Sequence, residues 1–135
     1  MNQIHKFADK YKEHLYFLFR VLIGGVFFIH GAQKMFGWFG GTKLPSLASL
    51  VGVAGIIEFF GGLLVLVGLF TRLVALVGAV EMAVAFFMAH FPSGWNPVLN
   101  KGEPATLFFA GFLVLLIYGN QKWNVERWLL GKETF

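Results

Sequence analysis

The chain has no cysteine. That excludes disulfides, thiolate metal sites and dithiol redox chemistry carried by the chain itself, though not the thiols of a partner. Charge is scarce as well: 13% of the 135 residues are charged, and only seven are acidic. A soluble domain of this length needs a polar shell, and this sequence cannot supply one. Mean hydropathy is +0.69 and 57% of the residues are hydrophobic. Four long apolar stretches leave little else, which places the chain among integral membrane proteins with one domain.

The balance of charge is basic, with a pI near 9.6. Nucleic acid is not the expected partner, because the basic residues flank apolar segments instead of clustering on a soluble face. Nor does the N-terminus read as a cleaved signal. Its basic stretch is long, the following run is of spanning length, and no small-x-small site follows, so the first helix is expected to remain. Gly61-Gly62 lies mid-helix, where it serves packing and not phosphate binding. Ser46, Ser49 and Ser93 have no paired base at a readable spacing.

The expected fold is all-α: a four-helix transmembrane bundle. Residues 1–14 form a polar arm, and residues 15–135 a single membrane domain with spans at about 15–36, 47–69, 72–90 and 104–119. At 1.5 Å per residue the second span is roughly 34 Å long and the fourth roughly 24 Å. Pro104 suits the first position of a helix, where its missing N–H is not needed. Only Phe70 and Thr71 join spans two and three, so these form a tight antiparallel hairpin.

Lys6, Lys10, Lys12, Arg72, Lys122, Arg127 and Lys132 fall on one side, and Lys34, Lys43 and Lys101 on the other. The positive-inside rule then puts both termini in the cytoplasm. Trp38, Trp95, Trp123 and Trp128 fall at the expected interfaces, where amphipathic rings belong. The implied location is a bacterial cytoplasmic (inner) membrane, crossed several times.

Two carboxylates interrupt this apolar pattern. Glu58 lies at the centre of the second span and Glu81 at the centre of the third. One ionised group at the bilayer centre costs roughly 3 kcal/mol on insertion scales. Each Glu is flanked by small residues three before and four after it: Gly55 and Gly62, Gly78 and Ala85. Such stripes face helices rather than lipid. Span one adds Arg20, His30 and Lys34. The helix ruler puts Arg20 roughly 9 Å to the cytoplasmic side of the midplane and His30 roughly 6 Å to the outer side. An arginine side chain bridges much of that offset, so Arg20 is the expected counter-charge of Glu58 or Glu81.

The candidate ligand or proton site is therefore Arg20, His30, Lys34, Glu58 and Glu81. Arg20, His30 and Glu58 form its expected core, and Glu81 its neutral, structural partner. His90 and Glu103, near His30 and Lys34, make a tier at the outer interface. No ligand spacing such as His-x3-His occurs, so no metal site is expected. Structural ion pairing is the competing account of the same charges.

Taken in order, several clusters resemble the DoxX family of small four-span bacterial membrane proteins. They are Arg20…His30-Gly31…Lys34…Phe36-Gly37-Trp38-Phe39-Gly40-Gly41, Leu44-Pro45, and Glu58…Gly61-Gly62…Gly68…Thr71-Arg72. His90-Phe91-Pro92, Asn100…Gly102-Glu103 and Gly119 continue the likeness over nearly the whole chain beyond the arm. Two departures stand out. The family's Asn-Gly-Gly-Glu is here Asn100-Lys101-Gly102-Glu103. Its closing Gly-x-Gly…Ser-Leu-Asp is here Gly119-Asn120-Gln121…Asn124-Val125-Glu126.

The resemblance implies a redox setting. Some relatives are membrane subunits of thiosulfate:quinone oxidoreductase, and others are tied to quinone or oxidative stress or to thiol balance through partner proteins. A quinone, a soluble redox partner and a homo-oligomer are what it suggests here. A non-catalytic membrane scaffold or assembly factor is the alternative. A small transporter or proton relay using the two glutamates is the third, although no inverted repeat with broken helices is evident.

Overall fold

A computed structural model describes residues 2–134, and these residues form helices and connecting turns without a strand among them. Helix α1 spans Gln3–Phe36, α2 Leu50–Val67, α3 Thr71–Ala85, α4 Glu103–Tyr118 and the short α5 Val125–Leu130. Helix α3 continues through a π-helical turn, Phe86–His90, and a 3-10 turn, Phe91–Ser93. Three helices are long and apolar enough to cross a membrane: α1, α2 and α3 with its continuation. The shorter α4 completes a four-helix membrane bundle.

The polar arm and the first span are one helix of 34 residues. Asn2 caps it by accepting from the His5 N–H at 3.0 Å, and no proline interrupts the stretch to Phe36. At 1.5 Å per residue it is about 51 Å long, well beyond a hydrocarbon core of about 30 Å. Gly37, in the left-handed region at φ 72°, ends it. Ser49 caps α2 by accepting from the Gly52 N–H at 3.0 Å. Gly68 closes that helix in the left-handed region at φ 73°. Phe70 follows in the same region at φ 53°, which turns the chain directly into α3.

Lipid is as apolar as leucine, so no hydrophobic force draws the helices together and close packing has to do it. Glycine provides the closeness between α1 and α2. A Cβ on Gly24 would sit 2.6 Å from the Leu66 backbone nitrogen. One on Gly31 would collide with the Phe59 backbone, and one on Gly62 with that of Phe28. Helices α3 and α4 form the second close pair, with the Phe112 ring seated against Gly78. Phe27 joins the two pairs: fully buried, it lies edge-on to Phe112 with ring centroids 4.7 Å apart. Leu22, Leu76, Val80, Leu107 and Ile117 face outward, as a lipid-facing surface requires.

The bundle has two unlike ends. One gathers the start of α1, the Gly68–Phe70 turn and the C-terminal segment, and is called the terminal end below. The other carries the 37–49 and 94–102 connections, and is called the loop end.

Candidate functional site

The buried charges separate into three places. At the terminal end, Arg20 is fully buried. Its guanidinium donates to the carbonyl oxygens of Asn120 at 2.6 Å and Trp123 at 2.7 Å, with that of Lys122 at 3.3 Å. The expected pair of Arg20 with Glu58 or Glu81 does not form. The physical reason is direction. A helical Cα–Cβ bond tilts toward the helix N-terminus, so the Arg20 side chain runs away from the midplane. There the carbonyls of the turn that follows α4 need donors, and the planar guanidinium serves several at once.

Around Arg20 the C-terminal segment folds back over the bundle. Tyr16 donates its hydroxyl to the Gly119 carbonyl at 2.6 Å. Thr71 donates to the Asn120 side-chain oxygen, and the Asn120 amide donates to the buried Glu126 at 2.6 Å. Glu126 also accepts from the backbone N–H groups of Phe70 at 3.1 Å and Thr134 at 2.6 Å. Arg72 and Glu133 add an ion pair at 3.3 Å. Asn124 caps α5 by accepting from the Arg127 N–H at 2.7 Å. The chain thus closes this end with an Asn that caps α5 and a Glu that is buried.

The second place is a cleft of about 640 Å³ between α2 and α3. The two helices meet at the Gly68–Phe70 turn, and the cleft opens between them toward the loop end. Its walls are apolar, with Val77, Val80, Val84 and Met88 among them, and these side chains are exposed on the lipid-facing surface. Its polar lining is Lys34, Glu58, Glu81 and His90. Lys34 Nζ lies 2.5 Å from each carboxylate oxygen of Glu58. The Glu58 side chain is 5% exposed and that of Lys34 28%. Glycine makes this pair possible, because a Cβ on Gly55 would stand 3.0 Å from the Lys34 Cβ. The lysine stem lies in that groove and, by the same tilt toward the helix N-terminus, reaches from the loop end to mid-membrane depth. Both carboxyl oxygens of Glu81 are buried and have no hydrogen-bond partner among the described residues.

The third place is a smaller cleft of about 510 Å³ between α1 and α4, where His30 and the exposed Glu103 supply the polar groups. The His30 ring stands edge-on to Phe108, 5.7 Å between centroids. It lies on a different helix seam from Glu58. The expected core of Arg20, His30 and Glu58 is therefore distributed over all three places. The group brought together is Lys34, Glu58 and Glu81, with His90 at the mouth of the same cleft. Sequence reasoning missed Tyr16, Thr71, Asn120, Glu126 and Glu133. The available signal was a run of polar residues immediately after an apolar span, where unbonded carbonyls accumulate.

Comparison with known proteins returns one family: the sequence model of DoxX matches residues 15–91. An uncharacterized protein of Haemophilus influenzae is 35% identical over 82% of this chain and 87% of its own length. A Bacillus subtilis protein named "Putative oxidoreductase CatD" is 41% identical over 77% of this chain and 78% of its own. The uncharacterized membrane protein Rv3486 of Mycobacterium tuberculosis is 26% identical over 85% and 81%. No solved structure matches the chain.

Proposed function

The chain belongs to the DoxX family of membrane proteins, and from that premise we propose that it is the quinone-binding membrane subunit of a redox system. The α2/α3 cleft is the site. The observation that carries this reading is a buried, partly unpartnered polar cluster at the base of a cleft whose apolar walls face lipid. A ligand entering there has to be mainly apolar with one polar region, and a quinone with its isoprenoid tail has that character. Small-molecule sites combine an apolar lining with a few convergent polar groups in the same way. The oxidoreductase name borne by the Bacillus subtilis relative points in the same direction.

In this reading the Lys34 ammonium donates to a ring oxygen of the bound headgroup, Glu58 holds that ammonium in place, and Glu81 exchanges a proton with the same oxygen. Reducing one quinone to quinol takes two electrons and two protons: one proton passes through Glu81 to the oxygen at the base, and the second comes from water at the mouth of the cleft to the other oxygen. The chain has no cysteine, so electrons from a thiol or from thiosulfate are delivered by a soluble partner. Positive residues at the terminal end put both termini in the cytoplasm, and the membrane is the bacterial inner membrane. Arg20 and the C-terminal network then have a structural task, holding the terminal end closed.

The test is a titration of purified protein in lipid nanodiscs with decylubiquinone. Saturable binding is expected, weakened at least tenfold by Glu58→Gln, which removes the charge that anchors Lys34. Absence of saturable binding in the wild type, or unchanged binding in a folded Glu58→Gln protein, overturns the reading.

A further inference from the structure

His90 has a place in this cleft that a regular helix would deny it. It stands nine residues after Glu81 on the same helical segment. At about 100° per residue an unbroken α-helix would turn it to the face opposite Glu81. The turn Phe86–His90 is instead π-helical, with the Phe91 N–H bonded to the Phe86 carbonyl. The extra residue in that turn sets the face back by about 100°, and His90 comes to line the cleft with Lys34, Glu58 and Glu81. Turns of this kind recur at functional sites.

The ring is also fixed. Nδ1 lies 3.2 Å from the Asn100 carbonyl oxygen. A carbonyl only accepts, so Nδ1 carries the hydrogen, and in the neutral ring Nε2 is left as an acceptor. Asn100 is itself immobilised. It is buried, its amide donates to the Gly94 carbonyl at 2.7 Å, and its side-chain oxygen accepts from the Gly102 N–H at 2.7 Å. The cleft therefore has a hydrogen-bond acceptor held at its mouth and carboxylates at its base. The two are separated by roughly 13 Å of helix between α-carbons. Helical Cα–Cβ bonds tilt toward the helix start, so His90 leans toward the base while Glu81 leans away from the mouth. That separation suits a six-membered ring with an oxygen at both ends and a hydrogen bond at each, roughly 11 Å in all.

We propose that the cleft prefers the reduced, 1,4-dihydroxy form of its ligand, with His90 Nε2 accepting from one hydroxyl and the carboxylate cluster accepting from the other. A quinone carbonyl offers Nε2 no hydrogen, so the oxidised form forgoes the bond at the mouth. One such bond corresponds to about a tenfold preference for quinol. For a two-electron couple that raises the potential of the bound ligand by about 30 mV. This inference rests on the quinone reading above and adds to it the ligand's orientation and preferred redox form.

The experiment compares three ligands in nanodiscs under anaerobic conditions: decylubiquinol, decylubiquinone and a matched decyl monophenol lacking the second hydroxyl. Wild-type protein is expected to bind the quinol about tenfold more tightly than either of the others. His90→Phe is expected to reduce the quinol-to-quinone preference to about one. His90→Gln, whose amide can still accept, is expected to keep part of it. Equal affinity for quinol and monophenol in the wild type overturns the proposal without needing any variant. So does a preference that survives in His90→Phe. Binding of quinone and quinol without discrimination removes the role of His90 and leaves the quinone site standing. Binding of none of the three removes the quinone reading itself.

Discussion

The Lys34–Glu58 pair can be taken apart asymmetrically, and the asymmetry follows from geometry. Lys34→Met leaves a carboxylate that is 5% exposed without its cation. Breaking a buried pair from one side costs about 3–5 kcal/mol. Because the lysine side chain is 28% exposed, the lower end of that range, about 3 kcal/mol, is expected. Glu58→Leu should cost less, about 1 kcal/mol. Lys34 sits in the last turn of α1, so its freed ammonium can swing to water at the loop end. Replacing both residues by apolar ones removes the buried charge altogether and should return the protein to within about 1 kcal/mol of the wild type. The coupling in the four-member cycle is then about 4 kcal/mol. Equilibrium unfolding in mixed micelles, with loss of helicity as the signal, measures it. Additivity within about 0.5 kcal/mol would refute the pair, since that is how independent sites behave.

Three further outcomes follow from the same geometry. Arg20→Lys should lose about 2–4 kcal/mol, because a point-like ammonium cannot serve the Asn120 and Trp123 carbonyls together; limited proteolysis should then cut after residue 119 before it cuts elsewhere. Glu81→Leu removes a buried carboxyl that has no hydrogen-bond partner among the described residues, so stability should rise by about 1–3 kcal/mol while decylubiquinone binding falls; a fall in stability would contradict the placement of Glu81. Gly31→Ala should destabilise by about 1–3 kcal/mol or more, since its Cβ would meet the Phe59 backbone and not a side chain that can move; an unchanged midpoint would mean α1 and α2 are not in backbone contact.

Much of the fold was legible because its signals are local. The apolar lengths give the spans, and the glycines three before and four after Glu58 mark the face that meets α1. Glu58 and Glu81 were placed near the midplane on a tight hairpin, and both line the α2/α3 cleft. The partner of Glu58 was not read correctly. A ruler along the helix axis ranks Arg20 and Lys34 by the depth of their α-carbons, yet both side chains point toward the start of α1. That direction carries Lys34 into the membrane and Arg20 out of it. His30 failed for a second reason: depth alone says nothing about which seam a residue occupies around the bundle. The partners of Arg20 lie about a hundred residues away in a segment with no apolar periodicity, so no local pattern pointed to them. The π turn had one hint, Pro92. In an α-helical register its ring would press on the Met88 carbonyl, and a widened turn relieves that contact.

The walls of the α2/α3 cleft are also part of the surface that lipid covers. A molecule reaches Glu58 and Glu81 by diffusing within the bilayer plane, and its local supply is its mole fraction among lipids. A dissociation constant quoted in moles per litre of buffer would therefore mix two equilibria: partition into the membrane and capture by the cleft. Holding protein and ligand fixed while adding phospholipid should empty the site by simple dilution in two dimensions. Lengthening the ligand's alkyl tail should improve apparent affinity in buffer while changing little once concentration is counted per lipid.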